Sequence, residues 1–115
     1  MAAPLAAQQP LETRSEQVEA AEAARSASDF AEARRLLRSL LADAPGDADL
    51  LRRLAMTEAG DGNLAEALAL VEQASQRAPA DLDVALARAY ILYWNGQYDA
   101  AEQAVAEAEA LSGHD

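Results

Sequence analysis

"APGDADL", residues 44–50, returns as "APADLDV", residues 78–84, 34 positions later. Pro45 and Pro79 cannot continue a helix, because each lacks the backbone N–H a helix requires, so each marks where one ends. Asp47 and Asp81 follow two residues on, where a side-chain oxygen can cap the next helix. Working outward from this pair, "SDFAEARRLL" (28–37), "GNLAEALALV" (62–71) and "GQYDAAEQAV" (96–105) align in the same register without gaps. Ala33, Ala67 and Ala101 coincide, as do Phe30, Leu64 and Tyr98, and Leu37, Val71 and Val105. Ala21, Ala55 and Ala89 coincide farther upstream. A fixed period of this kind is the signature of a repeat architecture.

Each coincident position has a physical use. Gly62 and Gly96 tolerate the left-handed turn that closes a helix, and Asp29 or Asn63 stands where a cap for its successor is needed. The aligned alanines let two helices approach closely. Ala, Leu, Glu and Arg, all strong helix formers, dominate the chain, while Val, Ile and Thr are scarce. The expectation is an all-α chain with helices over 14–26, 30–42, 48–59, 64–77, 82–94 and 98–111, arranged as helix, short turn, helix. About half of the 115 residues are apolar, but most of these are Ala. A single compact core built from them would be thin, and stacked layers suit them better. Residues 1–13 are expected to be a disordered N-terminal segment and 114–115 a frayed tail.

The pattern resembles the tetratricopeptide repeat family, with Leu51, Leu54, Ala55, Gly62, Leu64, Ala67 and Pro79 in the expected positions. The resemblance implies an α-solenoid of three stacked 34-residue helical hairpins, about 14–47, 48–81 and 82–113. The first unit departs from the pattern with Gln17 at an apolar position and Ser28 for the turn Gly. The third departs from it with Arg88 at an apolar position and Gly113 for the Pro. The resemblance also implies a non-catalytic protein-interaction module that takes a peptide or partner helix on its concave face. The third unit, "DVALARAYILYWNGQYDAAEQA", is also similar to repeats in the periplasmic part of bacterial outer-membrane β-barrel and exopolysaccharide-export proteins. That similarity implies contact with envelope machinery. A signal-peptide remnant at Ala2 to Ala7 fits the same setting, and a cytoplasmic adaptor is the alternative.

Four of the five aromatic residues fall within 90–98. On the helix over 82–94, Leu86, Tyr90, Tyr93 and Trp94 follow one another at spacings of four, three and one and form one stripe. Ala85, Ala89 and Leu92 occupy its packing face, and Ile91 makes the helix apolar nearly all round, so something must cover it. Tyr98 shares the core position of Phe30 and Leu64. Two readings of the stripe stay open. It packs against the last helix or a further repeat, or it is the aromatic wall of a groove for a protein partner. Arg25, Arg52, Arg53 and Met56, on the first helices of the earlier units, would extend such a groove with positive charge. A homodimer closing over the stripe is a further occupant. So is a longer chain, since no polar capping helix follows the last repeat.

Other chemistry finds little support. The net charge of −11 opposes nucleic acid and anionic membrane surfaces and favours a neutral or basic protein partner. No apolar run is long enough to insert this segment in a membrane. There is no cysteine, and His114 is the single histidine. No metal site, cofactor loop or catalytic triad is expected. Asp43, Asp47 and Asp49 lack the alternation of a calcium loop. A carboxylate clamp of the kind used by chaperone-binding members of the family would fall on Val18, Glu22, Arg53, Asp83 and Ala87, of which only Arg53 is suitable.

Overall fold

A computed structural model describes residues 13–113. Among them are six helices: α1 (Arg14–Ser26), α2 (Phe30–Asp43), α3 (Ala48–Gly60), α4 (Leu64–Arg77), α5 (Leu82–Trp94) and α6 (Tyr98–Leu111). Helices α2 and α3 each run one residue past the expected end. Residues 1–12 and 114–115, with the expectations placed on them, lie outside the described residues.

The helix ends follow the local chemistry closely. Asp47 accepts a hydrogen bond from the Leu50 N–H at 3.1 Å and Asp81 one from the Val84 N–H at 3.1 Å. Asp29 caps α2 through the Glu32 N–H. Asn63 does not cap α4 as expected. Its side-chain amide instead donates to the buried Glu58 carboxylate at 2.8 Å, and this charge-assisted bond is stronger than the neutral cap, in which the amide oxygen would accept from a helix N–H. Thr13, expected to be disordered, is held in place: its hydroxyl oxygen accepts from the Glu16 N–H at 3.0 Å and caps α1. Gly62 and Gly96 take the left-handed conformation, with φ of 87° and 79°. Ser28 takes the same turn at φ 61°, at a cost that glycine would not incur.

The helices pair as three antiparallel hairpins, and the hairpins stack. Helix α3 lies against both α1 and α2, and α5 lies against both α3 and α4. Each first helix therefore fills the groove of the hairpin before it. Ala33, Ala55 and Ala67 are fully buried, because nothing larger fits where the helices cross. Leu36, Leu37, Leu50, Leu54, Leu70 and Val71 form the main core, to which Val84 and Ile91 of the third hairpin also belong.

One polar seam crosses the first joint. Glu58 on α3 is 2 % exposed and receives two hydrogen bonds from Arg34 on α2, at 2.7 and 2.8 Å. The same guanidinium reaches Asp61 at 2.8 Å. Together with Asn63 these contacts leave the buried carboxylate satisfied. The Arg34 hydrogen bonds hold the Glu58 carboxyl below its ordinary value of 4.5, against the opposing effect of burial. The folded-state value is thus the lower one. Stabilisation from the ionised pair is complete above the unfolded value and is lost as pH falls through the folded one. The urea midpoint should therefore stay level from pH 7 down to about pH 5.5, then fall below about pH 4.5. In Glu58→Gln that acid slope should be shallower, and an equal slope in both proteins would remove Glu58 as its source.

Candidate functional site

Helix α5 carries apolar residues on more than one face. Val84, Ala87 and Ile91 enter the main core, and Ala89 and Leu92 pack with Ala101 and Ala104 of α6. Ala85 is half-buried. Leu86, Tyr90, Tyr93 and Trp94 remain, and α6 does not cover them. The three aromatics range from 47 % exposed at Trp94 to 60 % at Tyr93. With Tyr98, Ala101, Glu102 and Val105 they line an open groove of about 710 Å³. Glu102 is the one charged residue in that lining.

The aromatic rings hold one another in place. Tyr90 stacks on Trp94 with centroids 5.9 Å apart and planes 18° from parallel. Tyr93 meets Tyr98 edge to face at 5.3 Å. Both are favourable geometries for aromatic pairs. They give the groove a wall made of side chains already ordered by their neighbours.

Tyr98 corrects the sequence reading: it lies at the groove, 58 % exposed, and not in the core. The equivalent Phe30 is packed over Gly60 of the following hairpin, so closely that a Cβ on Gly60 would stand 2.8 Å from the ring. Among the described residues no helix follows α6 to cover Tyr98 in the same way. Val105 shows the same effect. Leu37 and Val71, its equivalents, are 1 % and 0 % exposed, and Val105 is 45 % exposed.

The arginines expected to extend the groove are engaged elsewhere. Arg25 donates to Glu22 at 2.8 Å, Arg52 to Asp49 at 2.8 Å, and Arg53 to both Asp49 and Glu22. Burial alone would raise the carboxyl pKa of Glu22 and Asp49, but these guanidinium contacts outweigh it and both lie below their ordinary values. The patch is thus an ion-paired network joining α1 to α3, three guanidiniums on two carboxylates. Met56 is half-buried against the main core. Asp47 pairs with Arg14 at 2.8 Å in addition to its capping role. Half-buried Arg88 is matched by Glu72 at 2.6 Å. Among the described residues no group of three or more His, Cys, Asp or Glu is arranged to hold a metal ion. No helix among them is long and apolar enough to cross a membrane.

Hairpins in a 34-residue register, each filled by the first helix of the next, define a helical repeat protein. The family model for the tetratricopeptide repeat matches residues 58–112, which supports that family for the chain. Members are in general protein–protein interaction scaffolds and in general non-catalytic. No curated protein matches the sequence.

Proposed function

We propose that this protein is a non-catalytic interaction module whose binding surface is the aromatic groove between α5 and α6, and that a helix or peptide of a protein partner occupies it. One observation carries this reading: four aromatic side chains and Val105, all substantially exposed, line a single concavity. Trp and Tyr are the residues most often found to dominate binding energy when they reach a desolvated pocket. The arginines of α1 and α3 are already engaged in ion pairs, so the proposed surface is confined to the last hairpin.

The test is a double substitution, Tyr90→Ala with Trp94→Ala. Both side chains lie outside the core, so helical circular dichroism should be unchanged. Affinity for a partner captured by the wild-type protein should fall by about a hundredfold. Loss of helicity would show the rings to be structural, and equal capture by both proteins would place the site elsewhere. Sedimentation at rising concentration covers the remaining occupant: a wild-type dimer that the double substitution converts to monomer would mean that the groove closes on itself.

A further inference from the structure

At both earlier joints the groove of a hairpin has an occupant, α3 in the first and α5 in the second. By the repeat, the pair of positions 24 apart at the first joint has its equivalent at the second. At the first, Arg34 bonds Glu58. At the second, Leu68 packs against the cluster that contains Leu92. The two joints thus match charge with opposite charge and apolar with apolar. The residue of the third hairpin equivalent to Arg34 and Leu68 is Glu102, the charged residue in the groove lining. A second correspondence accompanies it, since Phe30 covers Gly60 and its equivalent at the open groove is Tyr98.

Resting on the reading of this groove as the binding surface, we propose that its occupant is an amphipathic helix of a separate protein, seated as α3 and α5 are seated. It carries Lys or Arg against Glu102 and a small residue, Gly, Ala or Ser, two positions later beneath Tyr98. Large apolar residues precede the base by eight positions and by one, where α5 has Val84 and Ile91, both buried in the joint they form. The groove is a continuation of an interface the molecule already makes twice, with the required charge inverted.

The other occupants fit less well. Helix α1 of a second copy, seated head to tail, would bring Glu16 to the position of Leu50 and Val84 and Ala24 to the position of the base. An acidic residue would then enter an apolar groove and Glu102 would gain no partner. Two copies joined face to face would bring their Glu102 residues together, on chains that each carry a net charge of −11. Residues 1–12 contain neither Lys nor Arg to offer Glu102. A basic helix, in contrast, is drawn to the chain by its overall field as well as by this residue.

The molecule supplies its own probe. A fluorescein-labelled, end-capped peptide of residues 47–61, the α3 segment, carrying Thr57→Ile to supply the second apolar residue, has Leu50 and Gly60 in the required places and Glu58 where the base belongs. The Glu58→Arg form of this peptide should bind the wild-type protein roughly tenfold more tightly than the unchanged peptide, read by fluorescence anisotropy at low salt. Against protein carrying Glu102→Arg the preference should invert, with helicity unchanged because Glu102 is exposed. Equal affinity of both peptides for both proteins would overturn the charge pairing and leave the groove reading standing. Undiminished binding to the Tyr90→Ala, Trp94→Ala protein would overturn both. Failure of the Glu58→Arg peptide to bind the wild type, or a wild-type dimer that this peptide does not dissociate, would overturn the proposed occupant.

Discussion

Arg34→Leu should lower the unfolding free energy by about 3 kcal/mol, measured by urea denaturation at pH 7. The substitution strands Glu58, which is almost wholly buried and would keep only Asn63 at 2.8 Å and Arg38 at 3.8 Å as nearby donors. Removing one partner of a buried ion pair is costly for this reason, and the two remaining donors place the effect at the low end of that range. Adding Glu58→Leu should restore most of the loss. The first joint would then carry Leu at both positions, as the second does at the equivalent Leu68 and Leu92. Additive effects in the double variant would refute the pairing as the source of the energy.

The second large effect concerns three equivalent residues. Leu37→Ala should cost about 3 kcal/mol, since the side chain is 1 % exposed and its removal leaves a cavity between α2 and α3. Val71→Ala should cost about 2 kcal/mol, from two buried methyl groups and a smaller cavity. Val105→Ala, at the exposed groove, should change stability by less than about 0.5 kcal/mol. The repeat makes these the same position, so the gradient isolates the effect of a following helix. Three equal losses would show that α6 is already covered in solution. Thermal and urea unfolding of the three variants would settle it.

The architecture was legible because its determinants are local. Pro45, Pro79, the capping aspartates and the turn glycines act within a few residues of their own position, and they placed the helices to within one residue. The errors arose where a residue's fate depends on a neighbour distant in sequence. Tyr98 has the sequence position of Phe30, but position alone does not reveal whether a helix lies over it. Asn63 was read as a cap because caps are local, whereas its partner Glu58 is buried by the fold. The ion pairing of the arginine patch was partly readable: Glu22 to Arg25 and Asp49 to Arg52 are i,i+3 pairs, and Asp49 to Arg53 is an i,i+4 pair, all of which meet on a helix. The bond from Arg53 to Glu22 joins two helices, and no spacing rule announces it. Glu58 itself was a missed signal, an acid at the position where the third unit has Leu92.

Among the described residues α6 rests on α5 alone, whereas α3 and α4 are each flanked on two sides. In a linear array stability is close to a sum of nearest-neighbour terms, and opening starts where a term is missing. Residues 82–111, which contain the groove, are one end of the described array. A helix seated there supplies the missing term, so ligation and closure of the terminal unit become one equilibrium. The array would register its partner as a slowing of its own fraying, strongest at α6 and fading toward α1, so that occupancy is written along the length of the molecule as a gradient of persistence.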